Sequence, residues 1–229
     1  MTPSQPEASP PVWRVEMHCH TYRSGDSLAD PERLLATARR KKIDRLAITD
    51  HNTTAGALEV YALDPASVIV GEEIMTTEGE LLAYYVQQEV PAGLSPEAAI
   101  RLLRDQGAVI GVSHPFDAVR KGAWGEASLR RILPLIDAIE ILNARTWAGR
   151  PNRLAAKWAR EAGLPGIAGS DAHAPFEIGM ALTLLEPFRD GASLRLALRT
   201  ARVTGRRSLP WVHLLSRYAA WTKRRSRFP

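Results

Sequence analysis

The sequence predicts an α/β fold, a parallel sheet or barrel with helices outside it, and three observations carry that expectation. Short apolar runs alternate with helix-patterned segments through most of the chain. No internal repeat or low-complexity linker breaks the alternation, so residues 12–190 read as one domain. Five of the six histidines fall at the carboxyl ends of expected strands, where α/β barrels assemble their functional side chains.

Residues 1–11, "MTPSQPEASPP", lack the basic and apolar regions of a signal peptide and are expected to be a disordered lead-in. "VWRVEM" is the first strand. "DPERLLATARRKK" follows as a helix with Asp30 as N-cap and Pro31 at the first helical position, where a fixed φ and a missing N–H cost nothing. "IDRLAIT" and "ASVIVGEEI" are the next strands, and "ELLAYYV" follows closely enough to be a strand or a hairpin arm. "SPEAAIRLLRDQG" is a capped helix closed by Gly107, leading into the strand "AVIGVS". "IDAIEIL" precedes the helix "RPNRLAAKWAREAG", and "PGIAGS" is the last clear strand.

At 229 residues, 45% hydrophobic and 24% charged, the chain can bury a sizeable core. No apolar run reaches the length of a membrane span, so no transmembrane segment is expected. A single cysteine excludes an internal disulfide and a thiolate zinc cage, and points to a reducing, cytoplasmic setting.

The chemistry gathers at the strand ends. His18 and His20 close the first strand, and alternation aims both one way and Cys19 the other, into outward packing. Asp26 follows shortly. Asp50 and His51 end the second strand, and Glu72 and Glu73 the third; His114 ends a later one, and Asp171 and His173 the last. Alternation sets Glu72 and Glu73 on opposite faces without choosing between them. Asp50 is expected to orient a neighbouring ligand rather than to bind metal. Five imidazoles with several carboxylates and no thiolate suit borderline divalent ions such as zinc, manganese or iron. The set exceeds what one tetrahedral ion uses, so two or three ions bridged by a carboxylate are expected, an arrangement suited to phosphate-ester hydrolysis.

The motifs "HCHTYRSGDS", "LAITDHN", "VGEEI", "GVSHPFD", "IEILNAR" and "GSDAH", in that order over about residues 13–180, resemble the polymerase and histidinol phosphatase (PHP) family of metal-dependent phosphoesterases. The resemblance implies a distorted seven-stranded (βα) barrel of TIM-like type whose cleft binds up to three ions. It implies His18, His20, Glu73 and Asp171 around one ion, Glu73 bridging to a second held also by His114, and Asp26, His51 and His173 around a third. The family's G-x-E pattern selects Glu73 over Glu72. Many members carry a histidine shortly after that glutamate; here "GELLAYYV" puts Glu80 in its place, which leans the site toward manganese or iron. The chain also lacks the long insertion that some small-nucleotide phosphatases of the family carry after the "SHP" region, which argues against a closed, small-substrate pocket.

The function expected is hydrolysis of a phosphorylated small molecule or nucleotide by a metal-activated water, with Asp171, His173 or His114 relaying protons. The alternatives are an exonuclease or nucleotide phosphatase of the same family, and a non-catalytic, metal-stabilised module. Arg145, Asn143 and Arg120 are the candidate substrate residues, with Lys121 beside them, because guanidinium and ammonium groups hold phosphate through charge-assisted bonds.

The net charge of +5 hides an asymmetry. All 25 acidic residues lie at or before Asp190, whereas residues 191–229 carry ten Lys or Arg and no acid. That segment is therefore set apart as a basic, partly helical extension. Within it Trp211, Leu214, Leu215, Tyr218 and Trp221 recur at helical spacing, and the stripe is expected to dock on the barrel. Arg206, Arg207 and the run from Lys223 to Arg227 are expected to recruit nucleic acid, with anionic membrane as the alternative.

Overall fold

The computed structural model describes residues 11–226; residues 1–10 of the lead-in expected over residues 1–11, and Arg227 of the basic run, lie outside them. In chain order the elements are β1 (Trp13–Cys19), α1 (Pro31–Arg40), β2 (Arg45–Ile48), α2 (Ala55–Leu63), β3 (Val68–Met75), β4 (Glu80–Tyr84), α3 (Pro96–Asp105) and β5 (Val109–Val112). There follow α4 (Glu126–Ile132), β6 (Ala138–Asn143), α5 (Gly149–Ala162), β7 (Gly166–Gly169), β8 (Ala181–Leu185), α6 (Gly191–Leu198), β9 (Arg202–Gly205) and α7 (Val212–Ser226).

The local signals act as the sequence suggests. The Asp30 side chain caps α1 by accepting from Arg33 N at 3.1 Å, and Ser95 caps α3 through Ala98 N at 3.3 Å. Gly163 ends α5 at a φ of 66°, in the left-handed region that favours glycine. Helices α2 and α4 have no counterpart in the sequence reading. Helix α2, "AGALEVYAL", is apolar nearly all round and so shows no stripe for periodicity to detect.

The strands form one sheet in the order β7-β6-β5-β4-β3-β2-β1-β8-β9. It has nine strands, not seven. Strand β4 is the hairpin arm, antiparallel to both β3 and β5, while the β1–β2, β2–β3, β5–β6 and β6–β7 pairs are parallel. The two additional strands, β8 and β9, extend the sheet antiparallel beyond β1. The sheet curls almost into a barrel: Ala168 N on β7 donates to Thr183 Oγ1 on β8 at 2.8 Å, and Asp171 N donates to His18 O at 2.7 Å. Gly169 makes this closure possible, because a Cβ there would stand 2.3 Å from the His18 Cβ.

One apolar cluster fills the barrel, with Val15, Met17, Ile69, Leu82, Tyr84, Val109 and Ile167 drawn from five strands, and α6 plugs its base through Leu194, Ala197 and Leu198. A boundary at residue 190 therefore divides a continuous body: charge changes there, but α6 and β9 still belong to the core and the sheet. Outside the barrel, α1 and α2 cover one side and α3 to α5 the other.

The apolar stripe of the tail does not dock. Leu214 is 63% exposed, Tyr218 58% and Trp221 49%, and the residues of α7 turned to the barrel are Val212 and Ala219, at 2% and 3%. Trp211 stacks on Phe176 with ring centroids 5.4 Å apart, yet stays 48% exposed.

Candidate metal centre

Strand β1 aims the first two histidines. Val15 and Met17 point into the barrel, and regular alternation would send Cys19 there too. The register against β2 shifts between Glu16 and Cys19, and Cys19 instead packs outside with Leu34 and Leu35. The same irregularity turns His18 and His20 inward, where their Nε2 atoms lie 3.1 Å apart. On β3 alternation is kept. Glu73 follows Ile69 into the barrel and Glu72 turns away to accept from Val90 N at 3.0 Å.

All nine side chains chosen from the sequence as ligands converge here. Glu73 is the hub: its Oε2 lies 3.2 Å from His18 Nε2, 3.4 Å from His20 Nε2 and 3.0 Å from His51 Nδ1, and its Oε1 lies 3.1 Å from His114 Nε2. Asp171 Oδ1 stands 3.3 Å from His20 Nε2. Glu80 places its two oxygens 3.7 Å from His51 Nδ1 and 3.5 Å from His114 Nε2. Asp26 lies at the mouth, 3.1 Å from His173 Nε2 and 3.8 Å from His51 Nε2. His114 and Asp171 hold positive φ values of 22° and 52°, unfavourable for residues with a Cβ, and such strain concentrates at functional sites.

The donor set fits divalent cations. Three overlapping groups, His20–His51–His173, His18–His20–Glu73 and His51–Glu73–Glu80, each bring their ligand atoms within 4.8 Å of one another. Asp171 Oδ1, Asp26 Oδ1 and His114 Nδ1 are buried without a hydrogen-bond partner, a costly state for polar atoms unless another group satisfies them. The electrostatics show a strongly negative site, in which a proton on His18 and a cation would compete for the same carboxylate field. Burial alone would push the His18 imidazolium down, but the carboxylates of Glu73, Asp171 and Glu140 outweigh it and hold its pKa well above the ordinary value. His20, buried beside His173 and His51, is driven to about 3, so its lone pair is available to a cation. Burial opposes ionisation of Glu73, yet His18 and His51 hold its carboxyl well below the usual range.

Several positioning residues escaped the sequence reading. Glu140 Oε1 takes His18 Nδ1 at 3.0 Å, and its Oε2 accepts from His114 N at 2.8 Å. An acid set between isoleucines in "IEI", and hence on the inward face, was the available signal. Glu16 accepts from Ser170 N at 2.8 Å and Gly179 N at 2.9 Å, tying β1 to the loops after β7; burial raises its pKa to about 7. Asp50 behaves as expected of an orienting group. It accepts from Thr21 N and Ser24 Oγ, both at 2.7 Å, and Ser24 Oγ in turn meets His20 Nδ1 at 3.0 Å.

The three substrate candidates divide. Arg120 is at the centre, its Nη1 donating to Asp171 Oδ2. Asn143 is buried and fully engaged: its Nδ2 donates to Glu140 and Asp171, both at 3.1 Å, and its Oδ1 accepts from Arg145 N. It therefore orients Asp171 rather than facing a substrate. Arg145 is only 3% exposed, and its Nη2 is committed to Val212 O at 3.0 Å and Ser216 Oγ at 2.9 Å. It anchors α7 instead of reaching for phosphate.

A model of the PHP domain matches residues 16–89, and a PHP-associated model matches residues 149–203. An uncharacterized protein of Methanocaldococcus jannaschii is 36% identical over 156 residues, which span 62% of this chain and 88% of that protein. Among solved structures, PsfC from Pseudomonas syringae superposes with a TM-score of 0.70 at 16% identity, covering 92% of this chain and 98% of that one. A protein described as a candidate metal-dependent phosphoesterase from Bifidobacterium adolescentis superposes with a TM-score of 0.61 at 17% identity, covering 83% and 97%. These two likenesses show a shared fold. Among the described residues no helix is long and apolar enough to cross a membrane.

Proposed function

The chain belongs to the PHP family, and on that premise we propose that it hydrolyses phosphate esters with divalent ions held at this centre. The observation that carries the proposal is the convergence of nine histidine and carboxylate side chains on Glu73 and its neighbours. His18, His20, Glu73 and Asp171 would hold one ion; Glu73, Glu80 and His114 a second; Asp26, His51 and His173 a third. Ions bound there supply Lewis-acid charge that acidifies a water and neutralises the phosphoryl oxygens as charge develops.

The chain's own groups do the rest. Glu140 and Ser24 hold the rings of His18 and His20 in register, and Asn143 with Arg120 holds Asp171. Arg120, on the cleft side of Asp171, is placed to take a phosphoryl oxygen through a charge-assisted bond. His173 Nδ1 donates to the Asp171 carbonyl at 2.8 Å, which orients Nε2 toward Asp26 and the third ion.

The test is metal analysis of the purified protein together with hydrolysis of 4-nitrophenyl phosphate, with manganese, zinc and iron supplied separately and with a chelator. Turnover that requires a bound ion is expected. Full activity in metal-free protein, or no turnover of any phosphoester by metal-loaded protein, would overturn the proposal.

A further inference from the structure

Resting on the phosphoesterase reading, we propose that α7 is a wall of the active-site cleft and that its Arg217 and Arg224, with Lys121, form a second anion subsite. The substrate class that follows is a phosphate ester whose leaving group itself carries phosphate. Helix α7 lies beyond both family matches, which end at residue 203, so this wall belongs to the part of the chain those models do not describe.

Its orientation is held at several points. Arg145 Nη2 grips Val212 O and Ser216 Oγ at one end, and Lys223 Nζ donates to the carbonyls of Tyr22 and Ser24, in the loop that carries Asp26, at the other. Val212 and Ala219 are buried between these anchors. At 100° per residue the positions 213, 217, 220 and 224 then share the face beside the buried one, and that face lines the cleft. His213, Ser216 and Arg217 border a cavity of about 530 Å³ together with Asp26, His51, Glu80 and His173. Ala220 and Arg224 border a second, of about 620 Å³, which also contains Asp26, His51 and Lys121. The two share Asp26 and His51, so one cleft runs from the metal centre along α7.

Charge decides what this wall can hold. Lys121, Arg217 and Arg224 are exposed, and among the described residues none of them has an acidic partner within ion-pair distance. No acid follows Asp190 in the sequence, so nothing on α7 offsets them. Asp171, deeper in the centre, already has Arg120. Three uncompensated cations beside the position of a reacting phosphate favour a second phosphate there, and add nothing for a neutral leaving group.

The test compares kcat/KM for three substrates in the full-length protein loaded with its active ion. These are 4-nitrophenyl phosphate, a hexose bisphosphate, and a short single-stranded oligonucleotide with a terminal phosphate. Each is measured with the native chain and with the triple variant Lys121→Gln, Arg217→Gln, Arg224→Gln, whose folding is checked by its melting temperature. The expected result is a preference for one or both phosphate-bearing leaving groups that falls about 10- to 100-fold in the variant, mostly through KM and with a weaker salt dependence. The bisphosphate and oligonucleotide arms separate a small-molecule source of that second phosphate from a nucleic-acid chain. An unchanged preference, or an equal loss on all three substrates, would overturn the subsite. Should no substrate turn over, the phosphoesterase reading fails instead; equilibrium binding of the oligonucleotide by both proteins still decides the subsite, and equal affinity overturns it.

Discussion

At the metal centre most rings and carboxylates are held by partners from other elements, whereas α7 touches the barrel at a few points and leaves its largest apolar side chains in solvent. His18 is fixed by Glu140 on β6, His114 by Glu140 and Glu73, and Asp171 by Asn143 and Arg120. Helix α7 rests on Arg145, Lys223 and two small buried side chains, with Leu214 and Tyr218 more than half exposed. The contrast teaches where each region stores its specificity. The centre places ligand atoms by interlocked hydrogen bonds, so removing one member disturbs several. The helix presents separate faces, so a substitution on one face leaves the others in place.

The largest effect expected follows from that interlocking. His18→Ala and Asp171→Ala each remove a group that sits between several carboxylates and imidazoles. Either is expected to strip metal and to lower kcat by about 10³-fold or more, which is ~4 kcal/mol of transition-state stabilisation. Metal content and turnover, measured together, check it. A His18→Ala protein that keeps its ions would show that the centre tolerates gaps as a loose surface does.

Glu80 sharpens the comparison with a smaller effect. Glu80→Ala is expected to loosen one ion about 10- to 100-fold while the others stay, and Glu80→His to retain activity with a shift toward softer ions. A backbone route reaches the same side chain. A Cβ on Gly122 would stand within 1.9 Å of Glu80 Oε2, so Gly122→Val is expected to displace the carboxylate and mimic Glu80→Ala in metal titrations. If Gly122→Val binds metal as the native chain does, Glu80 is not part of the ion's environment.

Legibility in the sequence follows the same divide. The histidines could be found because strand ends are marked by apolar runs and each ligand sits beside a motif. Their inward aim rests on something the motifs do not show, the register shift between Glu16 and Cys19 that reverses the alternation after Met17. Glu16 carries no motif, and Glu140, although it stands inside "IEILNAR", is marked there only by its flanking isoleucines; a buried carboxylate otherwise looks in sequence like a solvated one. Charge misplaced the boundary at residue 190: a basic surface on β9 and α6 says nothing about the backbone ladder from β9 to β8 or the apolar face of α6 beneath the barrel. Periodicity found the stripe on α7 without its direction. The surface offered to α7 includes the Tyr22 and Ser24 carbonyls, the Arg145 guanidinium and the Trp147 ring, on which His213 stacks at 4.5 Å, so it takes donors, a carbonyl and a polar ring rather than the Leu214–Tyr218 stripe.

The smallest effect expected lies on α7 itself and tests that direction. Tyr218 and Leu214 face solvent, so exchanging either for Gln buries no polar group and opens no cavity; each is expected to change stability by no more than about 0.5 kcal/mol. Ala219 is 3% exposed and lies against the barrel, so Ala219→Leu forces extra methylenes into a closed interface at a cost of ~1–3 kcal/mol. For a chain of this size that difference reads as a melting temperature lower by about 2–4 °C per kcal/mol in the Ala219→Leu protein. The reverse pattern, with Tyr218→Gln melting several degrees lower and Ala219→Leu unchanged, would mean that the aromatic face is the docked one and that the cleft wall is turned away from the metal centre.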